Sequence, residues 1–433
     1  MTALPPGFID QLKPLLGSGL PDFIDCFTRQ AHRGIRFSTK REPPDVPGLL
    51  SPIPWEAGAF YLADEATAGS HPLHDAGAYY IQEPSAMAAV SALDPLPGDR
   101  VLDLCAAPGG KATQIGNRLR GQGAVVANEI SPARARILVR NMERMGITNT
   151  AVTCESPARL AERFPRAFDK ILVDAPCSGE GMFRREPESR EQWKPESPIG
   201  CALRQREILR SAACMLRPGG LMVYSTCTFN ETENEGVIES FLREHPGFRL
   251  MSFNLPGLPD ASQGMLRIWP HLHRGEGHFI ALIAKEGDAM ITPSKPLNDL
   301  QDVNALIDEW AKAPVAANLL HGNTVYHQAP ALPDFAGLRL LSPGPALAQR
   351  QGRLWKPAHA LALISQPRQA VVLNEKEARR FQQGHPLSVP AALSGWTAPT
   401  LAGWPLGWGK ATDGTLKNHY PKGLRKPLQM IVY

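Results

Sequence analysis

The stretch 101–111, V-L-D-L-C-A-A-P-G-G-K, constrains the fold of this chain more than any other part of the sequence. Its apolar first half predicts a buried strand, and Gly109 and Gly110 let a ligand approach the backbone closely. Lys111 opens a helix whose unpaired N–H groups and positive dipole end face the same point. This order favours a cofactor-binding turn, although a plain tight connection between strand and helix is the alternative.

Glu129 is a second indication of a cofactor site. It follows the next predicted strand, 124–127, and lies twenty residues after Gly109. A carboxylate there can accept hydrogen bonds from both hydroxyls of a ribose, as in nucleoside-binding α/β units. The turn lacks the pattern G-x-G-x-x-G, which disfavours a dinucleotide. Together these features predict a nucleoside-type cofactor.

Chain length and hydrophobic periodicity predict several domains. At 433 residues the chain is too long for one ordinary core. Residues 1–28 have the apolar spacing of two short helices, and residues 42–78 show no sustained period and are predicted to wrap the surface. Between residues 79 and 285, short strands alternate with helices, which predicts an α/β fold with a parallel sheet.

The remainder of the chain has a different pattern. Residues 290–296 are predicted to form a linker, and an amphipathic helix ending near Trp310 follows. Short strand-like pieces rich in proline and glycine come next, among them 429–432. They predict a small β-rich or α+β module.

Composition narrows the class of protein. No window has the roughly eighteen consecutive apolar residues that a membrane helix needs, and the amino-terminal residues lack a secretory signal pattern, so a cytoplasmic protein is expected. The seven cysteines lack paired C-x-x-C spacing, which disfavours a disulfide framework and a zinc site; free thiols and no metal are expected. No coiled-coil heptads are present, so a monomer is the default.

The net charge is only +4, but basic residues are concentrated near the two ends of the chain. Both segments suit a polyanion, although each is also compatible with an ordinary solvated face. The basic residues are Arg29, Arg33, Arg36, Lys40 and Arg41 in the first segment, and Lys410, Lys417, Lys422, Arg425 and Lys426 in the second.

Reactive side chains follow two further predicted strands. Asp174 and Cys177 come after the fourth strand, and Cys227 comes after the fifth. Because parallel strands present their carboxyl ends to one crevice, these groups are predicted to meet at the cofactor. A single cysteine at such a position is most often a small core residue, whereas two at one sheet edge favour reactive thiols.

A nucleoside-type cofactor beside a thiol suits alkylation of carbon 5 of a pyrimidine. That carbon is a poor nucleophile until a thiolate adds to carbon 6. A carboxyl group could supply a proton at ring nitrogen 3, and a base must remove the carbon 5 proton after methyl transfer from the sulfonium of S-adenosylmethionine. Spacing does not identify that base.

Five motifs together resemble the Nop/Sun family of RNA cytosine-5 methyltransferases. They are C-A-A-P-G-G-K, N-E-I-S-P-A-R, D-A-P-C-S-G-E-G-M-F-R, Y-S-T-C-T-F and Y-I-Q-E-P-S, within about residues 79–286. The ending, G-W-P-L-G-W-G-K with L-K-N-H-Y-P-K-G-L-R, is similar to the bacterial RsmF-like branch, which modifies small-subunit (16S) ribosomal RNA. The resemblance implies a class I, Rossmann-like methyltransferase core with a small N-terminal RNA-binding extension and a C-terminal PUA-like module.

The resemblance also implies residue roles. Cys227 would be the nucleophile, Cys177 would resolve the covalent adduct, and Asp174 would lie against the cytosine and the cofactor. The residues that would hold S-adenosylmethionine are Cys105, Ala106, Ala107, Pro108, Gly109, Gly110, Lys111, Glu129, Arg134 and Asp174. Ser156 stands where many members have an adenine-binding aspartate, with Glu155 as a weak substitute.

The tail is predicted to bind RNA, because it mixes cations with an imidazole and an aromatic ring. The predicted RNA contacts are Lys417, His419, Tyr420, Lys422 and Arg425 there, and Arg29, Arg33, Arg36 and Lys40 near the other end. Trp404 and Trp408 are predicted to be core residues. A family motif appears, one residue short, as Arg267, Pro270, His271, Gly277 and Phe279, and its role is either structural or RNA-facing.

Four parts are therefore predicted: a helical RNA-contacting extension at 1–78, the methyltransferase domain at 79–286, a linker and intermediate α+β region at 287–365, and a PUA-like RNA-binding domain at 366–433. The leading hypothesis is cytosine-5 methylation of small-subunit ribosomal RNA, with that RNA or the small ribosomal subunit as partner. The same chemistry on transfer RNA stays open. A catalytically idle ribosome-assembly factor is disfavoured, because such a protein would need neither Cys177 nor Cys227.

Overall fold

The computed structural model describes residues 4, 5, 7–288, 298 and 300–425. Three regions follow one another: an N-terminal region with a four-stranded sheet, a central α/β domain, and a C-terminal region with three further sheets. The predicted linker at 290–296, the strand-like piece at 429–432 and the basic residue Lys426 lie outside the described residues.

The N-terminal region starts with two helices, as predicted. They are α1 (Phe8–Leu16) and α2 (Leu20–Cys26), separated by a 3-10 turn at Gly17–Gly19. The elements that follow are β1 (Arg33–Phe37), β2 (Leu49–Pro52), β3 (Ala59–Leu62), α3 (Pro72–Asp75) and β4 (Tyr79–Gln82). The strands form an antiparallel sheet in the order β2-β3-β1-β4.

Residues 42–78 are more structured than their composition predicts. They contribute β2 and β3, and Trp55 and Tyr61 are buried against the central domain. The prediction of a surface wrap is wrong for this part. Each strand has only four residues, which is too short for an alternating pattern to be recognised.

The central domain contributes eight strands to a nine-stranded mixed sheet whose five middle strands are parallel, with helices on both faces, which confirms the predicted α/β fold class. Its elements are α4 (Pro84–Leu93), β5 (Arg100–Asp103), α5 (Gly110–Leu119), β6 (Ala124–Asn128), α6 (Pro132–Arg144), β7 (Thr150–Thr153), α7 (Pro157–Arg163), β8 (Phe168–Asp174), α8 (Glu188–Gln192), α9 (Ser197–Met215), β9 (Leu216–Thr226), α10 (Glu235–Glu244), β10 (Phe248–Leu250), β11 (Met265–Ile268) and β12 (His278–Lys285). Strands β9, β8, β5, β6 and β7 are parallel neighbours in that order, and β12 adds an antiparallel strand beside β9.

Alternate residues of the central strands pack into two hydrophobic layers. Val101 and Val125 pack with residues of α4, α5 and α6, whereas Leu102 and Ile171 pack with residues of α7, α9 and α10. Because both faces are close-packed, the strands are held in fixed relation to one another. The side chains just beyond the strand ends are therefore held in fixed positions relative to one another.

The C-terminal region begins with the predicted amphipathic helix, α11 (Gln301–Trp310). Its other elements are β13 (Ala311–Lys312), β14 (Leu319–His321), β15 (Thr324–Tyr326), β16 (Leu340–Ser342), β17 (Ala346–Gln351), β18 (Leu354–Pro357), α12 (His359–Ile364), β19 (Gln366–Pro367), β20 (Ala370–Val372), α13 (Glu375–Gln382), β21 (Leu387–Ser388), β22 (Gly395–Leu401), β23 (Trp404–Pro405), β24 (Gly409–Thr412) and β25 (Thr415–Asn418). Strand β16 pairs with β7 and so extends the central sheet. Trp404 and Trp408 are buried, as predicted.

The two ends of the chain share one hydrophobic core. Phe37 and Tyr79 of the N-terminal sheet pack in the same cluster as Phe381 and Trp404 of the C-terminal region. Arg41 donates to a backbone carbonyl next to α12 at 2.5 Å, and its guanidinium lies 5.9 Å from the Trp404 ring. The first strand and the last sheet are therefore in direct contact.

Candidate active site at the carboxyl ends of the central strands

The loops after β5, β8 and β9 lie side by side, because these strands are parallel neighbours. A cavity of about 580 Å³ opens at this edge. The predicted site residues that line it are Cys105, Ala107, Glu129, Arg134, Ser156, Asp174, Cys177 and Cys227. The structure thus brings five of the ten predicted cofactor residues and both thiols to one cavity, whereas Ala106, Pro108, Gly110 and Lys111 line a neighbouring cavity of about 470 Å³.

The turn between β5 and α5 depends on Gly109. Its φ of 115° is rare for any other residue, and a Cβ there would lie 3.2 Å from a methyl group of α6. Asn141 donates to the Pro108 carbonyl at 2.8 Å, and Arg134 donates to the Ala107 carbonyl at 2.9 Å. These contacts fix the turn against α6.

Glu129 is a buried carboxylate at the cavity. Its Oε1 accepts a hydrogen bond from the Ser131 N–H at 2.9 Å, and its Oε2 lies 3.2 Å from Arg134 Nη1. Ser131 occupies the N-cap position of α6, but its hydroxyl makes no capping bond; its backbone N–H donates to Glu129 instead. Arg134 therefore holds both the turn and this carboxylate.

Ser156 and Glu155 face different surroundings. Ser156 lines the cavity and caps α7 by accepting a hydrogen bond from the Arg159 N–H. Glu155 turns instead to the C-terminal region, where it accepts the Arg339 N–H at 2.7 Å. This contact takes Glu155 away from the role of an adenine-binding acid.

Asp174 is the centre of a polar cluster. It accepts hydrogen bonds from Lys111 Nζ at 2.8 Å and from the Ser225 hydroxyl at 2.8 Å, and His278 Nε2 lies 3.6 Å from its Oδ1. Burial acts to raise the pKa of Asp174, but Lys111 and His278 outweigh it and hold the pKa below its usual range. Asp174 in turn raises the pKa of Lys111 against the effect of burial. The pair is a carboxylate and an ammonium at neutral pH.

The two predicted thiols are in contact. Cys177 Sγ lies 3.4 Å from Cys227 Sγ. The hydrogen bond between them raises the pKa of Cys177, and burial raises it further, so Cys177 keeps its proton. The Gly181 N–H donates to the Cys227 carbonyl at 2.8 Å, which ties the two loops together.

A buried carboxylate network lies behind the thiols and is absent from the sequence predictions. Glu233 accepts hydrogen bonds from the Ser178 N–H at 3.0 Å and from Asn230 at 2.8 Å. Asn230 also donates to Glu180 at 3.0 Å, and both glutamates are fully buried. The Ser178 and Thr228 hydroxyls lie 2.9 Å apart. The network thus joins the residues that directly follow the two thiols.

In the sequence, this network corresponds to the run N-E-T-E-N-E at 230–235, which directly follows the motif Y-S-T-C-T-F. Acids and amides in such density are typical of an exposed helix start. The position of this run next to Cys227 therefore indicates a place near the thiols, whereas its composition predicts an exposed segment.

Arg36 is a buried structural residue. Its side chain is 2% exposed and donates to the Gly110 carbonyl at 3.2 Å and to the Thr113 hydroxyl at 2.9 Å. The prediction that Arg36 contacts RNA is wrong, because the side chain packs against α5. Lys40 also faces the protein: its ammonium donates to a backbone carbonyl of α12 at 3.3 Å, and burial lowers its pKa to about 7.

The other two predicted contacts of this segment lie nearer the surface. Arg29 is exposed and pairs with Asp25 at 2.6 Å. Arg33 donates to two backbone carbonyls of the loop after β3. RNA contact by either residue stays a prediction.

In the tail, three predicted RNA contacts are exposed, namely Lys417, His419 and Lys422. Tyr420 is 3% exposed, and its ring lies 5.8 Å from Phe381 and 5.3 Å from His359. The prediction that Tyr420 stacks on RNA is therefore wrong, because the ring is part of the core. Arg425 is half-buried and donates to the Tyr420 carbonyl at 3.2 Å.

The motif around Arg267 has a structural role. The guanidinium donates to the Phe229 carbonyl and to the first residue of α10, and it lies 5.2 Å from the Trp269 ring. His271 packs 5.7 Å from Phe23. These contacts join α2 to the loop after β9.

Among the residues that the structure describes, no helix combines the length and apolar character needed to span a bilayer. The same residues include no group of three or more histidine, cysteine, aspartate or glutamate side chains arranged to hold a metal ion.

Three family models match the chain. One described as 16S rRNA methyltransferase RsmB/F matches residues 90–284. One described as the N-terminal domain of 16S rRNA methyltransferase RsmF matches residues 4–84, and one described as the methyltransferase RsmF PUA domain matches residues 368–426.

Individual proteins match over most of their length. Ribosomal RNA small subunit methyltransferase F of Klebsiella pneumoniae (strain 342) is 33% identical over 97% of this chain and 96% of its own. The protein of the same name from Escherichia coli O127:H6 (strain E2348/69 / EPEC) is 33% identical with the same coverage. The crystal structure of a methyltransferase homolog protein from Pyrococcus horikoshii matches with 28% identity and a TM-score of 0.55, covering 65% of this chain and 100% of that one.

Proposed function

The chain belongs to the 16S rRNA methyltransferase RsmB/F family, and from that membership we propose that Cys227 is the nucleophile of its methyl transfer. The enzyme is an S-adenosylmethionine-dependent RNA cytosine-5 methyltransferase that acts on 16S ribosomal RNA. The contact of Cys227 with Cys177 at 3.4 Å, beside the Lys111–Asp174 ion pair, supports the assignment.

The residues at the strand ends fit S-adenosylmethionine. The cavity of about 580 Å³ has the size of a cofactor site. Glu129 presents a buried carboxylate for the ribose hydroxyls, and Gly109 lets the turn pack closely against α6. The Asp103 carboxyl group is buried beside this turn, where it lines the neighbouring cavity with no side-chain hydrogen-bond partner among the described residues and only the Cys105 backbone N–H close by, as expected where a polar ligand completes the site. Bound there, the cofactor supplies an electrophilic methyl group.

Cys227 acts as a thiolate that adds to carbon 6 of the cytosine ring. The new sulfur–carbon bond moves electron density to carbon 5, which becomes the methyl acceptor. After carbon 5 has lost its proton, the sulfur–carbon bond breaks, the double bond of the ring re-forms and Cys227 leaves as a thiolate. Cys177, still protonated, stabilises that leaving group by donating its S–H.

Lys111 and Asp174 hold the cytosine ring and the charge around it. The Lys111 ammonium favours an anionic sulfur at Cys227. Because Asp174 is ionised, it accepts a hydrogen bond from the base instead of supplying the proton expected at ring nitrogen 3. Lys111, which donates to Asp174 at 2.8 Å, is then the candidate proton donor beside that carboxylate.

Contacts outside the cavity are needed, since a cytidine in folded RNA must leave its stack at a cost of a few kcal/mol. We place them on the predicted residues that keep accessible side chains: Arg29, Arg33, Lys417, His419, Lys422 and Arg425.

We further propose that the parts at 1–78, 79–286, 287–365 and 366–433 act together in one cytoplasmic monomer. The third part supplies β16 to the central sheet, which supports a fixed arrangement of the second and third parts. Light scattering of the purified protein should give the mass of one chain, 47.2 kDa.

Single replacements separate the roles of the two thiols. With 16S rRNA and a cofactor labelled in its methyl group, Cys227→Ala should transfer no label but bind the cofactor normally. Cys177→Ala should accumulate a protein–RNA adduct that survives a denaturing gel, because the departing thiolate lacks its donor. Cys214→Ala is the matched control, since this thiol is exposed.

Each arm can contradict the proposal. Label transfer by Cys227→Ala would remove the nucleophile assignment, and an adduct-free Cys177→Ala would remove the release role. Label in transfer RNA alone would change the substrate, and no label in any RNA would favour the idle assembly factor.

A further inference from the structure

Strands β24 and β25 have one buried and one open face, whereas β22 is buried on both faces beyond Trp396. On the buried face, Ala411 and Leu416 belong to the core shared with the N-terminal region. The alternating residues Lys410 and Lys417 lie on the open face and are exposed. Lys410 is paired in register with Lys417 on one side and with Trp396 on the other. An indole and two ammonium groups therefore lie in a row across three strands.

An aromatic pair continues this row. The His419 ring lies 4.7 Å from the Trp396 ring at 70°. Trp396 is half-buried and His419 is exposed, so packing fixes the indole while the pair stays accessible. Partial burial lowers the pKa of His419, and the charges of Lys356 and Lys410 lower it further. His419 is therefore an uncharged ring at neutral pH.

Lys356, from β18 of the neighbouring sheet, adds a third cation. Its ammonium donates to the neutral amide of Gln351. Within the described part of the chain, neither Lys356 nor Lys410 nor Lys417 forms an ion pair with a carboxylate. Residues 335–374 also contain five basic residues and no acid. The open face is thus cationic without internal neutralisation.

Cations beside an accessible aromatic ring suit single-stranded RNA better than a duplex. Unpaired bases present ring faces that stack on an aromatic side chain, whereas duplex bases are enclosed. The lysines neutralise the flanking phosphates. An acidic protein segment would satisfy the lysines but would leave the Trp396 ring without a stacking partner.

We propose that the open face formed by Lys356, Trp396, Lys410, Lys417 and His419 holds a single-stranded segment of the substrate RNA while the target cytidine occupies the active-site cavity. The RNA's identity rests on the proposed function. The face combines two sheets, because Lys356 belongs to β18 of the neighbouring sheet. It also extends beyond the PUA match at 368–426.

Fluorescence anisotropy with a labelled oligouridylate of about 12 nucleotides tests the face directly, since one such surface covers about 4–16 nucleotides. K410Q/K417Q should weaken binding about tenfold and lower the slope of log K against log salt by about 1.4, roughly 0.7 for each lost phosphate contact. W396A should weaken binding about tenfold with little change in slope. The charge-matched control R243Q/R249Q, on exposed positions of α10 and β10, should behave as the wild type.

The outcomes separate this proposal from the proposed function. Unchanged affinity and slope in K410Q/K417Q, or an equal loss for a duplex of the same length, would overturn the face. A normal KM for 16S rRNA in K410Q/K417Q would do the same while leaving the methyltransferase assignment intact. If the wild type methylates no RNA but the lysine and tryptophan variants lose oligouridylate binding, the face stands and the proposed function fails. Normal RNA binding with lost binding to assembled subunits would assign the face to a protein partner.

Discussion

Lys111 and Asp174 form an ion pair at the same edge of the sheet as the two thiols. Each one shifts the pKa of the other against the effect of burial, so that both stay ionised. Removal of one partner from such a pair leaves an uncompensated charge in a poorly solvated place, which costs more than the pair itself contributes. The chemistry therefore depends on the ammonium and the carboxylate together.

Lys111→Met should lower kcat by about 100-fold, within the usual range for loss of acid–base assistance. Without the ammonium, the pKa of Asp174 rises towards its ordinary value. The acid limb of the pH–rate profile should move to higher pH. Rapid-quench measurement of adduct formation across the pH range tests both effects.

Lys111→Arg keeps the positive charge and is the matched control. It should retain the wild-type acid limb even if its rate is reduced. If Lys111→Met reacts within about threefold of the wild type, the pair has no part in the chemistry.

At the residue scale, the meeting of Asp174, Cys177 and Cys227 at one cavity was predictable because strand ends converge in any parallel sheet. Asp174 and Cys227 needed only the strand pattern and the residues that follow it. Arg36 and Tyr420 could not be assigned in the same way. The sequence alone does not show whether a basic or aromatic side chain faces solvent or the protein interior. Packing decides that, and neighbours distant in sequence supply it.

The loops after β8 and β9 are joined by one buried element of structure, the carboxylate network around Glu233. Its Oε2 accepts from the Ser178 N–H at 3.0 Å and from Gln205 at 2.9 Å. Its Oε1 accepts from Asn230 at 2.8 Å and from the Ser178 hydroxyl. Glu233 therefore sets the separation of the two loops that carry the thiols.

Glu233→Gln should weaken this joint, although the side chain keeps its shape. One oxygen becomes an NH₂ group facing two donors, so the free energy of unfolding should fall by about 2 kcal/mol, the cost of unsatisfied buried polar groups. Adduct release should slow more than cofactor binding, because the thiol contact loosens. Urea unfolding and single-turnover kinetics measure the two effects separately.

Glu239→Gln, at an exposed position of α10, is the control and should leave both quantities unchanged. Wild-type stability together with wild-type adduct release in Glu233→Gln would show that the network does not position the thiols.

At the element scale, long and apolar strands were predictable and short ones were not. β8 and β12 are buried runs with a clear pattern. β16 has three residues, all half-buried, and pairs with β7 through an irregular register. Such a strand exists because β7 offers an unpaired edge, and its own residues contain no comparable signal.

At the scale of the whole molecule, the N-terminal region and the C-terminal region are in direct contact. The N-terminal sheet and the C-terminal sheet share a core that includes Phe37 and Trp404. Periodicity reports only local structure, so this contact could not be read from either segment alone. It also explains why part of the basic segment faces the protein: Lys40 and Arg41 reach the Trp404 ring at 5.8 and 5.9 Å.

His359 lies at the same junction, with a small cavity beside it that is also lined by Asp75, Arg140, Glu143, Arg144 and Tyr420. Burial lowers the pKa of His359 from 6.5 to about 4, against a weaker opposite effect of Asp75. Between these two values the unfolded chain binds a proton that the folded protein excludes. Stability therefore falls as the pH drops through this window, and the loss is complete below pH 4.

His359→Asn keeps a polar side chain that does not titrate, so it should remove this component of acid sensitivity. Between pH 7 and pH 4.5 the wild type should lose about 2 kcal/mol more unfolding free energy than the variant, since each pKa unit corresponds to about 1.4 kcal/mol and partial exposure of the ring reduces the effect. Urea midpoints at several pH values measure the difference. His385→Asn, at an exposed position, should follow the wild-type curve. Parallel curves for the wild type and His359→Asn would mean that the junction does not respond to His359, and the acid sensitivity would then belong to the buried carboxylates.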